Sequence, residues 1–257
     1  MIAILVAVKQ ELNPLLRRAQ AGHIVRQAHL DFYEGALGEK PVAMLALGIG
    51  KECARIAAEM TIRCYRPDLV ISAGFGGGLT EEVQDGDIVV GTEILDLHAD
   101  YGSEIRWRTA HQVTHLHGLD SAAHNDFRVH FGKLITCEEM VLKAAAKQRI
   151  GQATGALSVD METSAVAAVC AARQTDFLGI RCITDNNHEN LPHEFNDFFV
   201  VGQLRPARIL TSCTRRPRLL LDLARLGYRA QHSGIRLARF LETALRQLQL
   251  PAMTARV

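Results

Sequence analysis

The sequence predicts a three-layer α/β/α sandwich around a mixed, mostly parallel, twisted β-sheet. Short apolar runs alternate with amphipathic segments of helix length along most of the chain. Several apolar runs end directly in carboxylates or glycines, as strands do at the edge of an α/β sheet where ligands bind. A chain of 257 residues can form one domain with a sizeable core, so we expect a single domain over residues 1–257.

The composition is ordinary for a soluble globular protein, with 48% hydrophobic and 22% charged residues. The apolar residues 1–8 follow no basic stretch and are too few to cross a bilayer, so we interpret them as a buried strand. The six cysteines form no CxxC pair, which favours reduced thiols over disulfides or zinc ligands. We therefore expect a cytoplasmic protein.

The first half of the chain contains two strand-to-helix transitions. Residues 2–8 form a strand that runs into Glu11 and the start of a helix, and residues 32–47 predict a hairpin that turns at residues 38–41. Two glycines within residues 48–51 then open a second helix. Glycines at a helix start leave N–H groups free to bind an anion, but for two glycines alone a tight connection between strand and helix is the better explanation.

A strand at residues 67–73 leads into a glycine cluster at residues 74–78, which we expect to be a loop that lets the backbone approach a ligand. The cluster matches neither the P-loop nor the dinucleotide fingerprint. Another strand begins at residues 86–90. Residues 98–130 are the least regular part and contain six histidines, whose spacing matches no metal site. We expect solvated histidines, no metal ion and no other cofactor.

The second half predicts two further strands that end in acids. One ends in the triplet from Asp160 to Glu162, and the other ends in Asp185. Carboxylates at the end of a buried strand are costly to desolvate, which suggests a functional role. The alternative is that Asp160 is a helix N-cap and that Glu162 is favoured by the helix dipole. The predicted elements are a strand at 133–137, a helix at about 139–149, a strand to 160, a helix to about 173 and a strand at 177–185.

The C-terminal part differs from the rest in charge. Residues 205–246 hold ten arginines and two acids, a net charge of +8, whereas residues 1–204 carry −8. Leucines at helical spacing predict a basic helical tail at about 205–249, with Gly227 and Gly234 as positions where it breaks into two helices. Its arginines are either solvated or paired with the acidic body, or they contact an anionic membrane surface. The arginines of one narrow line are Arg218, Arg225, Arg229 and Arg236.

These segments resemble the nucleoside phosphorylase and nucleosidase superfamily over most of the chain. The most specific match is a Val-Asp-Met-Glu run at 159–162 paired with Arg-Cys-Ile-Thr-Asp at 181–185. Methylthioadenosine/S-adenosylhomocysteine nucleosidases are also similar at Glu11 and at residues 48–51, 74–79, 86–90 and 191–198. The glycine cluster and the Arg/Pro-rich tail are similar to the branch of hopanoid-associated phosphorylases.

The resemblance implies a homo-oligomer that releases adenine from a 5′-substituted adenosine, with a small nucleoside and water or phosphate as partners and no nucleic acid. By resemblance, Asp185 is the general acid at purine N7, Glu11 activates water and Glu162 accepts the ribose hydroxyls. A base that activates water favours hydrolysis. The alternatives are phosphorolysis, cleavage of a lipid-linked nucleoside (adenosylhopane) in hopanoid biosynthesis, and a nucleoside-binding protein without activity.

The resemblance also implies which residues bind the substrate, with Met161 against the sugar and Met140 and Val141 at the base. Three positions depart from the nucleosidase pattern. Phe75 replaces a serine, Asp160 replaces a glutamate, and Met140 replaces an aromatic residue, which leaves the 5′ group open. The implied substrate-binding residues are Gly48, Phe75, Gly76, Met140, Val141, Asp160, Met161, Glu162 and Arg181.

Overall fold

The computed structural model describes residues 1–27, 30–97, 105–109, 116, 126–200, 203–204 and 219–248. The strands are β1 (Ile2–Val6), β2 (His23–Gln27), β3 (Leu30–Leu37), β4 (Lys40–Ala46), β5 (Leu69–Gly78), β6 (Ile88–Asp96), β7 (Ile105–Arg108), β8 (Val129–Thr136), β9 (Ala156–Asp160), β10 (Asp176–Asp185), β11 (Phe199–Val200) and β12 (Gln203–Leu204). The helices are α1 (Lys9–Arg18), α2 (Lys51–Tyr65), α3 (Ala144–Thr154), α4 (Thr163–Ala172) and α5 (Leu219–Gln247), with a 3-10 helix at His193–Phe198.

Helices cover both faces of the central sheet, which confirms the predicted three layers. Helices α1 and α5 pack on one face, and α2 and α4 pack on the other. Strand β1 is buried on both sides for this reason, with Ile2 and Ile4 in the first core and Ala3 and Leu5 in the second. Among the described residues, no helix has the length and apolar character needed to cross a bilayer.

Five strands of the sheet close on themselves. The order β10-β6-β8-β9-β5 returns to β10 because β5 pairs with both β9 and β10. The pairings of the described strands in this sheet divide equally between parallel and antiparallel, five of each, so the sheet is mixed but less parallel than predicted. The closure brings the carboxyl ends of β9 and β10 to the last residues of β5.

The hairpin is confirmed as β3 and β4, with positive φ angles of 56° at Gly38 and 67° at Glu39 in its turn. The prediction of a loop at residues 74–78 is wrong, because these glycines continue β5. They are needed inside the strand because other groups crowd it. A Cβ at Gly76, for example, would collide with the hydroxyl of Ser158.

Two predicted helix boundaries are also wrong. The helix placed at 139–149 begins only at Ala144, because the preceding apolar residues pack into separate clusters and the carbonyl of Leu142 accepts the N–H of Leu191 at 2.8 Å. The tail does not break at Gly227 or Gly234, since α5 is one helix of 29 residues. The sequence analysis missed β2, an exposed edge strand without an apolar pattern.

Two sequence-based predictions fall outside the described residues. The histidine-rich part on either side of β7 is one, with His98 before this strand and His111, His115, His117 and His124 after it. The first part of the tail, residues 205–218, is the other, and it includes Arg218.

Candidate active site

Glu11 occupies the first turn of α1 and is buried. Its Oε2 accepts the N–H groups of Ala7 at 2.7 Å and Val8 at 3.0 Å, as a glutamate at the third position of a helix does when it caps the N-terminus. Its Oε1 accepts the N–H of Phe75 at 2.7 Å, across from β5. Burial raises the pKa of Glu11, while these backbone donors oppose the rise.

Asp185 is the last residue of β10 and is also buried. Its Oδ1 accepts the hydroxyl of Thr184 at 3.0 Å, and its Oδ2 accepts the ammonium of Lys147. The carboxyl lies against Gly77 of β5, where a Cβ would sit 3.1 Å from Oδ2. Burial raises the pKa of Asp185, and the charge of Lys147 opposes the rise.

Glu162 lies between β9 and α4. Its Oε1 accepts the N–H of Gly50 at 2.7 Å, and Gly50 has a φ of 95°, a conformation that favours glycine. Burial, followed by the negative charge of Asp160, raises the pKa of Glu162 to about 7. The charge of Glu11 also contributes to this rise, so these two acids lie within electrostatic reach of each other.

The three acids therefore meet around the second half of β5. Glu11 lies against Gly74, where a Cβ would sit 2.8 Å from Oε1, and Asp185 lies against Gly77. The strand that leads to Glu162 pairs with β5 at Gly77 through Val159. The structure thus brings together three acids that are far apart in the sequence: Glu11 and Glu162 follow β1 and β9, and Asp185 ends β10.

Asp160 and Arg181 form a buried network behind Glu162. The Oδ1 of Asp160 accepts the N–H groups of Glu162 and Thr163, both at 3.0 Å. The N-cap residue of α4 is Glu162, so the alternative that made Asp160 the N-cap is wrong by two residues. Its Oδ2 accepts the Nε–H of Arg181 at 2.9 Å, and the guanidinium also donates to the carbonyl and hydroxyl of Ser72. The hydrogen bonds of this network hold the turn that carries Glu162 in place.

A family model for the phosphorylase superfamily matches residues 1–215. The chain belongs to the phosphorylase superfamily. A 5′-methylthioadenosine/S-adenosylhomocysteine nucleosidase of an Exiguobacterium species is 28% identical over 228 residues, which cover 84% of this chain and 97% of that protein.

Solved structures of two nucleoside-cleaving enzymes share the fold. The 5′-methylthioadenosine/S-adenosylhomocysteine nucleosidase of Neisseria meningitidis, in complex with methylthio-immucillin-A, has a TM-score of 0.75 at 20% identity and covers 96% of this chain and 99% of its own. The futalosine hydrolase of Helicobacter pylori has a TM-score of 0.74 at 18% identity and covers 96% of this chain and 97% of its own. These likenesses confirm the α/β fold predicted from the sequence.

Several other expected site residues of this superfamily member lie close to the acids. Gly48 has a φ of 91°, and its N–H donates to the carbonyl of Ala7 at 3.0 Å, which ties it to the residues before Glu11. Gly76 is buried in β5 between the positions that contact Glu11 and Asp185. Met161 is half-buried, and its N–H donates to the Oε2 of Glu162 at 3.3 Å.

Phe75 contributes its backbone rather than its ring. Its N–H holds Glu11, whereas its side chain joins the core under α5, with the ring 3.8 Å from the position of a Cβ on Gly234. The ring of Phe75, at a position where the resemblance implies a serine, therefore packs against the C-terminal helix.

The expected base-binding residues, Met140 and Val141, lie on the segment between β8 and α3. Met140 packs in a small apolar cluster with Phe195 and Leu219, so the start of α5 reaches this segment. Val141 packs in another cluster, with Leu79 and Val159. Both side chains are half-buried, and their neighbours connect the segment to β5 and β9.

The sequence analysis missed Lys147, which is fully buried on α3 and contacts Asp185. Within an alanine-rich helix it resembles an ordinary surface lysine, so the sequence offers no signal for its role. Lys51, which the sequence analysis considered as a phosphate-binding cation, is half-buried and pairs with Asp96 and with Glu138 at 2.8 Å.

Proposed function

We propose that this protein hydrolyses the N-glycosidic bond of a 5′-substituted adenosine and releases adenine. The observation that supports this proposal is the meeting of three buried acids, Glu11, Glu162 and Asp185, around the glycines of β5. Each has a raised pKa, caused first by burial, as acids and bases that act near neutral pH require. The nucleosidase relative supports the same reaction class.

Each acid has a separate role in the proposed reaction. Asp185, in its protonated form, gives its proton to N7 of the purine as the bond between C1′ and N9 breaks. Glu11, in its ionised form, takes a proton from the water whose oxygen forms the new bond to C1′. Glu162 accepts ribose hydroxyls and stabilises the positive charge that develops on the sugar, with Met161 packed on the ribose.

Water is the preferred nucleophile for two reasons. Glu11 is a buried base, which a water nucleophile needs and a phosphate dianion does not. The two cations considered for phosphate also have other partners, since Arg181 pairs with Asp160 and Lys51 pairs with Asp96 and Glu138. Phosphorolysis remains an outcome of the experiment below.

The deciding experiment follows free adenine after incubation with methylthioadenosine, with and without phosphate. We expect adenine release that is independent of phosphate, whereas release that requires phosphate would make the protein a phosphorylase. Asp185→Asn and Glu11→Gln are each expected to lower kcat by a factor of about 10² to 10⁴. Asp176→Asn, at the exposed start of the same strand as Asp185, is the matched control.

The 5′ group is best found by a screen of adenosine, methylthioadenosine, S-adenosylhomocysteine, futalosine and adenosylhopane. Preference for adenosylhopane would support a function in hopanoid biosynthesis. Binding of adenine without turnover of any of these compounds would indicate a nucleoside-binding protein and contradict the proposal.

We further propose that the tail contacts an anionic membrane surface. Exposed apolar side chains lie along one line of α5, with Leu221 63%, Tyr228 65% and Ile235 38% exposed. The exposed Arg225 lies on the same line, and cations beside apolar side chains suit an anionic bilayer surface. By contrast, Arg229 turns to the body and pairs with Glu189 and Asp85, which confirms for this residue the alternative of pairing with the acidic body.

Co-sedimentation with vesicles of phosphatidylserine and phosphatidylcholine tests the membrane contact. We expect binding that weakens when Leu221, Arg225 and Tyr228 are replaced by serine or glutamine. A variant with Arg55→Gln, which is half-exposed on α2, serves as the control for lost charge. Binding that is absent, or equal in all variants, would leave the line on α5 as a solvated surface.

We also propose a cytoplasmic homo-oligomer. The five cysteines in the described part of the chain, Cys53, Cys64, Cys137, Cys170 and Cys182, are all free thiols, which suits a reducing compartment. The oligomer rests on the superfamily resemblance, and sedimentation velocity at several concentrations measures it directly. A monomer at every concentration would contradict it.

A further inference from the structure

Lys147 is the most deeply buried cation near the site. It has no exposed surface, and it sits in the first turn and a half of α3. A buried ammonium is costly unless all of its donors are satisfied. Its three donors are directed to the Oδ2 of Asp185, the carbonyl of Asn186 at 3.0 Å and the carbonyl of Glu189 at 3.1 Å.

All three acceptors belong to one short stretch, residues 185–189, that begins with the proposed general acid. Oδ2 is enclosed by the ammonium on one side and by Gly77 on the other. Oδ1 accepts only the hydroxyl of Thr184, at 3.0 Å, among the hydrogen bonds of the described residues. The two oxygens of the carboxyl are therefore not equivalent.

We propose that Lys147 is a positioning residue for the general acid, because its ammonium holds the Asp185 carboxyl through Oδ2 and leaves Oδ1 for the purine. This inference rests on the proposed function. Lys147 touches no reacting atom and acts through Asp185. It also stabilises the carboxylate that remains after the proton has moved to N7, which makes Asp185 a stronger acid.

The C-terminal helix α5 also contacts the stretch 185–189, through Arg229. The carbonyl of Glu189 accepts from Lys147, while its side-chain carboxylate accepts from Arg229 of α5. The stretch 185–189 is thus held from α3 and from α5. The charged groups that face Asp185 are Lys147 from α3, Glu189 after β10, Asp85 between β5 and β6, and Arg229 from α5.

The test compares Lys147→Gln with Lys147→Arg. Glutamine can still donate to the two carbonyls but lacks the charge, so the pKa of Asp185 rises in this variant. Because the reaction needs protonated Asp185, the alkaline limb of kcat/KM against pH moves up by about one pH unit. We also expect kcat to fall by about tenfold or more, with KM nearly unchanged. Lys147→Arg restores the position of the limb.

A second readout does not depend on activity. The side-chain carboxyl resonance of Asp185 in protein labelled with ¹³C-aspartate, assigned by its loss in Asp185→Asn, reports the titration directly. We expect its midpoint to move up in Lys147→Gln and to return in Lys147→Arg. Equal midpoints in wild type and Lys147→Gln overturn the inference, whether or not the wild type releases adenine.

Two controls separate the inference from simpler explanations. Arg149→Met removes an exposed cation from the same helix and leaves both the limb and the resonance in place. If Lys147→Gln fails to fold, Arg229→Gln takes its place. This substitution removes the half-exposed partner of the Glu189 carboxylate. We expect it to shift the Asp185 resonance in the same direction as Lys147→Gln, by a smaller amount. No shift in that variant counts against the inference. An inactive wild type whose Asp185 resonance still depends on Lys147 contradicts only the proposed function.

Discussion

Asp160 and Arg181 are joined by a hydrogen bond of 2.9 Å between Oδ2 and Nε, and almost none of either side chain is exposed. This pair connects β9 to β10, and its carboxylate also receives the backbone of the turn at Glu162. The orientation of Glu162 therefore depends on an ion pair that faces away from solvent, and so does the pKa of Glu162, which the charge of Asp160 raises.

Replacing Asp160 by asparagine is expected to destabilise the protein strongly. The guanidinium of Arg181 stays buried without a charged partner, which costs about 3–5 kcal/mol. Urea unfolding, followed by circular dichroism, measures this loss. The control is Asp31→Asn, which breaks the exposed pair between Arg26 and Asp31 and changes the free energy of unfolding little. Similar losses in both variants would contradict the importance of the buried pair.

The raised pKa of Glu162 predicts that the protein becomes less stable as the pH rises. The pKa of Glu162 is about 7 in the folded protein against 4.5 without burial, so the folded state binds its proton more tightly than the unfolded state. The contribution of Glu162 to the free energy of unfolding is therefore fully present below pH 4.5. It decreases by about 3 kcal/mol in total as the pH rises to about 7.

Glu162→Gln isolates this contribution. The amide does not titrate, but its oxygen can still accept the N–H of Gly50. We expect the unfolding free energy of the variant to fall less than that of the wild type between pH 5 and pH 8. The exposed Glu139→Gln is the control and should follow the wild type. Parallel curves for wild type and Glu162→Gln would show that the glutamate does not carry the raised pKa.

The two glycines within α5 are expected to respond oppositely to alanine. A Cβ at Gly234 would lie 2.8 Å from the carbonyl of Gln10, too close for either helix to keep its position, whereas a Cβ at Gly227 meets nothing within 4 Å. Gly234→Ala should therefore lower the unfolding free energy by about 1–3 kcal/mol. Gly227→Ala should raise it by up to about 1 kcal/mol through helix propensity. Thermal unfolding of the two variants side by side decides the matter.

Phe75→Ser separates a packing role from a substrate-binding role. Because the ring packs under α5 and only the backbone N–H holds Glu11, we expect a loss of about 2 kcal/mol in stability with little change in KM. Denaturant titration and steady-state kinetics on the same preparation measure both quantities. A change of KM at unchanged stability would mean that the ring contacts the substrate.

The sequence predicted the layered fold and the meeting of Glu11, Glu162 and Asp185, because an apolar run that ends in an acid is visible without a structure. The close approach of a ligand to the backbone of residues 74–78 stays a prediction, since the groups that lie against these glycines in the structure are side chains such as Glu11, Ser158 and Asp185. The sequence did not predict that these glycines continue a strand, since a strand of glycines has no side-chain pattern and is held by β10 and β9 on its two sides.

Long-range contacts explain the other differences. Lys147 could not be recognised as a buried cation because its acceptors lie 38 or more residues away along the chain. The same holds for the N–H of Gly50, which binds Glu162 112 residues later. Gly234 indicated a break in the helix, but its actual cause is the close approach of α1, which only the folded chain reveals.

The core on one face of the sheet contains side chains of β1, α1 and β4 together with those of α5, and Gly38 lies directly against Glu242 and Leu245. The two groups of residues are far apart along the chain, since β4 ends at Ala46 and α5 begins at Leu219. At translation rates of 5–20 residues per second, the first strands leave the ribosome roughly ten to forty seconds before the helix that covers them. During that interval the apolar side chains of β1, α1 and β4 that face α5 have no cover, so this core can be completed only after α5 has been synthesised.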